Sequence, residues 1–499
     1  MHKTKIIVFF MFLVVLIGKV SGMGKDLVLS YTYGVGEVTD AFFMANTLAA
    51  LFYSAIFLAI PSMLIPIYTK HLEMKGGSVD VDFIQLIKSF ITISFLLSMF
   101  IYFSSHALVT FFFPDLNFDI ALLTSSYLRI ISITFIISTA ITILNTMQVV
   151  HGKRLLSYLV PLINNLFFIA GLLYFSSNNF ESVLLFSVFG WFVLLVINVV
   201  VRRVNQESRV ELGFSIKLLT SRKYLSIFIP LLLLFTSEQA ISYITIYLSS
   251  LIGDGMVSVI NYATKINLIL VSLFLVLLNT YIFPKLSLMK GQGDKVFEKF
   301  ASQGAGNIVA ISSMFSIGMF AFSEPIVELL FERGAFTSTD TLLVASALEV
   351  ISLSLPFFLL RDFFNRILFS LSSSMYSLIS LLVTLLSHSL IGYYFMLSFG
   401  VEGVVVSLVV SSMINVVALY LFLYWKYDMN VFTGLYNILI LLCIQVLAMT
   451  FIFQLKYEGQ CGMILAFVFY GISCISITFI IFSTKINAVI KRLFVKYSI

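Results

Sequence analysis

Charge is what this chain has least of. Only 11% of its 499 residues are charged, against about 25% in soluble domains. Hydrophobic residues make up 60%, and the mean hydropathy is +1.06. Such a composition cannot clothe a water-facing surface, which excludes soluble enzymes and soluble binding modules. Cysteine is scarce too. Cys443, Cys461 and Cys474 lie together near the C-terminus, without metal-ligand spacing and without the pattern of a disulfide framework. Five histidines, His2, His71, His106, His151 and His388, are scattered. No HExxH, phosphate-binding glycine loop or Ser/His/Asp set occurs. Neither catalysis nor a cofactor is expected; coupling to an ion or to membrane potential stays open. The longest polar stretch is only 202–223, so there is no soluble domain.

What is present is hydrocarbon, in runs of about 20 residues, the length that crosses a core of ~30 Å. Fourteen candidate spans lie near 6–31, 40–68, 82–106, 120–150, 155–176, 182–201, 224–250, 257–284, 300–322, 341–365, 375–397, 402–425, 432–454 and 463–484. Backbone groups in lipid must be satisfied within each span, so the fold class is an all-α integral membrane protein. The start, KTKIIVFFMFLVVLIGKVSG, imitates a signal peptide. It is read as a first span because the pattern runs on through Lys25, Asp26, Gly34 and Gly36.

Counting spans from an inner N-terminus puts Lys70, Lys153, Arg154, Arg202, Arg203, Lys285, Lys290, Lys295, Lys299, Lys426 and the basic tail on one side. Arg333 and Lys456 fall on the other. This asymmetry predicts cytoplasmic N- and C-termini. The net charge of +6 is therefore topogenic and no nucleic-acid footprint.

The two halves repeat. Residues 34–147 lie over 253–367 at an offset of about 219. YGVGEVTDAFFMANT meets IGDGMVSVINYATKI, LVTFFFP meets IVELLFE, and Asn145 meets Asn365. A parallel repeat of this size implies two six-helix lobes: 1–206 and 224–425, joined by a cytoplasmic linker at 207–223. Helices 13 and 14 and a basic tail, 426–499, form an appendage. Such repeats are the signature of secondary transporters. The 202–223 stretch reads as an amphipathic helix on the inner surface, and the apolar middle of 323–340 as a helix folded back on its lobe.

Charges inside spans are costly and so informative. Lys19, Lys25 and Asp26 fall in the first span, Asp40 opens the second, Glu238 lies in the seventh and Lys265 in the eighth. Glu349, Arg361, Asp362 and Arg366 fall in the tenth. Lys25–Asp26 and Arg361–Asp362 can also be read as local charge compensation, Arg366 and Lys19 as snorkelling to a surface, and Asp40 as a helix cap. Prolines 61, 66, 161, 230, 284 and 356 mark places where a span can bend.

These residues resemble a known family. GKVSGMGKDLVLSYTYGVGEVTDAFF is similar to the first-span signature of the MurJ/MviN lipid II flippases, relatives of multidrug exporters of the MATE type and of O-antigen flippases. IP–IY at 65–68, NYATKI at 261–266, FPKLS at 283–287, LLFERGAFTSTDT at 329–341 and LRDFFNRILFSL at 360–371 resemble it too. The resemblance implies two six-helix lobes plus two helices, and a basic cavity for a polyprenyl-linked precursor. It implies that Lys25 and Lys265 stand at arginine positions, and that Asp26 and Asp40 match acidic ones. Arg361, Asp362 and Arg366 match a variant pattern. Tyr31, Phe52, Tyr53, ITIY (244–247) and SSSMY (372–376) depart from it, so the expected cavity is less basic. Lysine neutralises phosphate without arginine's bidentate fork.

The expected activity is thus flipping of an undecaprenyl-(pyro)phosphate-linked saccharide, a lipid II-like peptidoglycan precursor, across the bacterial plasma membrane. Lys25, Lys265, Asp26, Asp40, Arg361, Asp362 and Arg366 are the substrate-site candidates, and Glu238 and Asp40 the coupling candidates. The expected partners are the lipid-linked saccharide and the bilayer, with the chain acting as a monomer. Flipping of an O-antigen or exopolysaccharide unit, or MATE-like cation export, are the alternatives. The last would want acids rather than lysines in the cavity.

Overall fold

A computed structural model describes residues 2–73, 81–152, 155–175, 179–204, 214–278 and 282–431. Every element among them is a helix, as the lipid environment demands. In chain order they are α1 (His2–Tyr33), α2 (Glu37–Glu73), α3 (Val81–Phe112), α4 (Phe118–Val150), α5 (Leu155–Phe175), α6 (Phe180–Val204) and α7 (Lys217–Thr220). Then come α8 (Arg222–Ser250), α9 (Met256–Leu277), α10 (Phe283–Lys290), α11 (Asp294–Ala321), α12 (Ser323–Phe331), α13 (Ser338–Ser352), α14 (Leu355–Ser370) and α15 (Ser374–Tyr427). Among the described residues, nine helices are long and apolar enough to cross a membrane, or ten if the bent pair α13–α14 counts as one. The expected thirteenth and fourteenth spans lie outside the described residues.

Three departures from the simple span pattern have physical causes. The tenth span breaks between α13 and α14 with a bend of 43°. Pro356 sits in the first turn of α14, where it lacks the N–H to continue the preceding helix. Side chains satisfy the carbonyls released at the break. Asn267 Nδ2 donates to Ile351 O (3.4 Å) and Ser354 Oγ (3.1 Å), and Ser316 Oγ donates to Ser352 O (2.8 Å). By contrast Pro61 and Pro66 lie inside a continuous α2.

Second, α15 runs 54 residues, about 80 Å if straight. It is not straight. Asn415 Nδ2 donates to the Ser380 carbonyl and the Thr384 hydroxyl, residues that a straight helix would hold about 50 Å away. The chain reverses at Gly400, whose φ of 58° and ψ of −131° are non-helical. The eleventh and twelfth spans are therefore a hairpin about that glycine.

Third, the described part of the linker after α6, 214–223, opens with non-helical residues 214–216 and holds one turn of helix, α7, before α8, while 205–213 lie outside the described residues. It is tied to α3: Ser215 N–H donates to Thr92 Oγ1 (3.0 Å) and Leu218 N–H to Ser89 Oγ (3.2 Å). A helix is present within 323–340, as α12.

The chain forms two compact units. Unit 1 comprises the chain up to Tyr262 together with Glu328–Val344 and His388–Val404. Here α2 packs on α4 and α8, α3 on α4, α1 on α5, and α5 on α6. Lipid tails are as apolar as leucine, so such contacts depend on close packing and hydroxyl hydrogen bonds. A buried example links α2, α3 and α4. Tyr53 Oη lies 2.8 Å from both Ser138 Oγ and Thr139 Oγ1, Ser94 Oγ lies 2.6 Å from Thr139 Oγ1, and the Tyr53 ring stacks on Phe135.

Unit 2 comprises Ala263–Val327, Ala345–Ser387 and the described residues from Val405 onward. Its core joins α9, α11, α14 and the end of α15 through Val271, Phe297, Ala301, Leu359, Phe363, Phe364 and Leu419.

Candidate functional site

The most constrained polar site of unit 1 is where the end of α1 and the start of α2 meet the start of α9 and the loop after α12. Asp40 is at its centre, 3% exposed. Its Oδ2 accepts the Gly255 N–H at 2.6 Å, and its Oδ1 accepts the Ser258 N–H at 2.7 Å and the Ser258 hydroxyl at 2.5 Å. The two N–H groups stand just before and within the first turn of α9, where the helix cannot satisfy them itself. Asp40 is therefore a cap, but of α9 from across the repeat and not of its own helix. The carboxylate also faces the positive end of the α9 dipole. The start of α2 is closed by Thr39, whose hydroxyl oxygen accepts the Gly36 N–H at 3.1 Å.

The repeat itself supplies the contact. Thr39 Oγ1 and Ser258 Oγ are 2.8 Å apart and lie 219 positions apart in sequence. Phe43 and Tyr262, also equivalent positions, meet edge to face at 5.5 Å. Gly255, the counterpart of Gly36, has its α-carbon packed against Val35, whose Cγ1 would lie 2.8 Å from an added Cβ. Positions 39 and 43 are spaced by four, on one face of α2, and Gly36 stands just before its first turn. So one stripe of α2 meets its own counterpart on α9. Asp40 is where the symmetry fails, since its counterpart is the buried Val259.

The LLFERGAFTSTDT stretch completes this clasp. The Ala335 N–H donates to Tyr31 O at 2.8 Å, and Tyr262 Oη to Gly34 O at 3.3 Å. Gly34 (φ +59°) and Gly334 (φ +65°) approach reciprocally. A Cβ on Gly334 would lie 2.3 Å from Tyr31 O, and one on Gly34 2.5 Å from Ala335 O. Thr337 and Asp340 form a capping box at α13, with the Thr337 N–H donating to Asp340 Oδ2 at 2.8 Å and the Asp340 N–H to Thr337 Oγ1 at 3.4 Å. Gly334→Ala should therefore destabilise the protein by at least about 2 kcal/mol, the left-handed strain alone contributing ~1–2. A thermal melt of the purified variant in detergent measures this; an unchanged Tm would show that the backbone here is free to shift.

The other predicted residues are placed as follows. Lys25 is half-buried on α1, its Nζ 3.8 Å from Asp26 Oδ1 and 5.3 Å from the Phe168 ring centre. Lys265 is half-buried on α9 and Glu238 exposed on α8. Asp362 makes its ion pair with Arg366: Nε–Oδ2 is 2.6 Å and an Arg366 terminal nitrogen lies 3.3 Å from Oδ1. Four residues apart, the two share a helix face. Arg361 lies over the Phe358 ring and Arg366 over Phe283.

Sequence reasoning missed Thr39, Ser258, Tyr262 and Gly334 as parts of one site. The signal was there in the alignment of 39 on 258 and 43 on 262. Where the resemblance expects charge, hydroxyl networks stand. Tyr53 is held by Ser138 and Thr139, and Thr245 lies 3.0 Å from Nε2 of the fully buried His388.

Comparison with known proteins places this geometry. The family model described as lipid II flippase MurJ matches residues 29–472. A probable lipid II flippase MurJ of Bdellovibrio bacteriovorus is 27% identical over 182 residues, 36% of this chain and 35% of that one. Its namesake in Buchnera aphidicola subsp. Schizaphis graminum is 25% identical over 477 residues, covering 89% of this chain and 88% of the relative. A solved lipid II flippase MurJ in an inward closed conformation superposes with a TM-score of 0.79 at 18% identity, over 94% of this chain and 99% of that one. That likeness fixes the fold, and the family match runs through nearly all of the described helices. The chain is a multi-pass membrane protein that belongs to the lipid II flippase MurJ family.

Proposed function

We propose that this chain flips an undecaprenyl-(pyro)phosphate-linked saccharide, a lipid II-like precursor, across the bacterial plasma membrane by alternating access. The clasp carries this reading. It joins equivalent positions of the two repeats, which is what two bundles that rock apart require at one end. It is also polar. Thr39, Asp40 and Ser258 can trade protein partners for water when that end opens, at a net change of about 1 kcal/mol for each neutral hydrogen bond and about 1.5–3 kcal/mol for each bond to the carboxylate. An apolar seam would gain nothing from water. The lysine distribution supports cytoplasmic termini and so an outer position for the clasp.

Lys25 and Lys265 are the proposed phosphate ligands. The Lys25–Asp26 contact is long, and a phosphate can take the ammonium from it with shorter charge-assisted bonds. Asp26, Arg361, Asp362 and Arg366 are assigned to shaping the headgroup environment. Asp40 and Glu238 are the coupling candidates, Asp40 through the clasp it closes.

Complementation tests the reading. A bacterium depleted of its own lipid II flippase should grow when this chain is expressed. Lys265→Ala should abolish rescue at an unchanged membrane level, and Lys265→Arg should keep it. Lysis in spite of expression would move the substrate to another polyprenyl-linked glycan. Full rescue by Lys265→Ala would remove that residue from the site.

A further inference from the structure

We infer that the first three turns of α11 form a separate docking site for a lipid-borne phosphate, a function that no residue discussed above performs. A cavity of about 390 Å³ opens there, lined among the described residues by Lys295, Glu298, Lys299, Ser302 and Gln303. Their spacings of three and four put them on one face, over about 12 Å of helix.

The depth is what makes this face unusual. α11 has 28 residues, about 42 Å, and exceeds a hydrocarbon core of ~30 Å by roughly two turns. With that excess shared between its ends, Lys295 stands among headgroups, Lys299 at the boundary and Gln303 a turn below it. Gln303 is nonetheless exposed, and an amide facing acyl chains is costly. A headgroup lodged in the cavity removes that cost.

The charge selects the guest. Glu298 is turned to the chain end after α15, where its Oε1 accepts the Asn430 N–H at 2.9 Å. Two exposed ammonium groups and an exposed amide remain to line the space. That set donates hydrogen bonds to phosphate and repels cations. The phosphate can belong to an anionic phospholipid of the leaflet or to a polyprenyl phosphate. The cytoplasmic placement of this end rests on the topology proposed above; the binding chemistry does not.

The test uses the full-length Lys25→Ala, Lys265→Ala protein in neutral detergent, so that both proposed transport ligands are absent. Calorimetric titrations use dioctanoyl-phosphatidylglycerol, undecaprenyl phosphate and inorganic phosphate. Adding Lys295→Gln and Lys299→Gln should weaken lipid binding about 30-fold, two charges acting at the bilayer surface. Arginine at both positions should preserve it, and Glu298→Gln should strengthen it. Loss confined to undecaprenyl phosphate assigns the site to the transported lipid; loss for phosphatidylglycerol assigns it to the leaflet. Unchanged affinity for both lipids overturns the site, as does inorganic phosphate binding as tightly as the lipids. Because these titrations never measure transport, their failure is distinct from a failure of complementation.

Discussion

Oxidising a Val35→Cys, Asp254→Cys double variant should stop transport, and reduction should restore it. Val35 already packs on Gly255, and the residue before that glycine is exposed. A disulfide holds its two α-carbons within about 7 Å, so the helices that carry Thr39 and Ser258 could no longer part. The readout is flipping of a labelled lipid in proteoliposomes, with the crosslinked fraction followed on a gel. Full flipping with the crosslink complete would mean that this end never has to open, and the alternating-access reading would have to be abandoned. The single cysteine variants, treated with the same oxidant, serve as controls for damage to the protein.

Removing the Asp40 carboxylate should have the next largest effect. Asp40→Ala strips two backbone N–H groups and a hydroxyl of a charged acceptor in a buried setting. Each hydrogen bond to a charged group contributes about 1.5–3 kcal/mol, so the closed clasp should lose at least ~3 kcal/mol. That is more than a hundredfold in the balance between closed and open. Asp40→Asn should be only a partial remedy, because its amide nitrogen would oppose a backbone N–H. The check is labelling of a Thr39→Cys variant by a membrane-impermeant maleimide. Labelling should accelerate when Asp40→Ala is added, and transport should fall. Unchanged labelling together with normal transport would reduce Asp40 to a bystander.

Much of the architecture was legible in the sequence because lipid leaves few options. Apolar run length gives the spans, and a glycine between two runs gives the α15 hairpin at Gly400. Pro356 marks the break in the tenth span, whereas Pro61 and Pro66, equally visible, leave α2 intact. The difference lies in tertiary partners: Asn267 and Ser316 donate to the carbonyls of Ile351 and Ser352, and no sequence rule announces that. The site was less legible. Asp40 stood out as a charge, but its partners are backbone N–H groups, which carry no residue identity. Thr39 and Ser258 are lost among the many serines and threonines of these helices until the repeat is aligned. Asp362 and Arg366 were readable as a pair from their spacing alone. Gly334 drew notice only as part of a motif; the close approach of Tyr31 gives the physical reason that glycine is needed there.

The stripe that joins α2 to α9 has the logic of a dimer interface. Equivalent positions meet each other, as they do about the two-fold axis of a symmetric pair, except that here one chain supplies both surfaces. In a true homodimer every residue appears twice, so an acid placed near the axis must face its own copy, and like charges in a poorly solvating setting repel. Joining the halves in a single chain lifts that restriction. Residue 40 is aspartate while its counterpart, 259, is valine, and one carboxylate can cap the opposite helix without meeting a second.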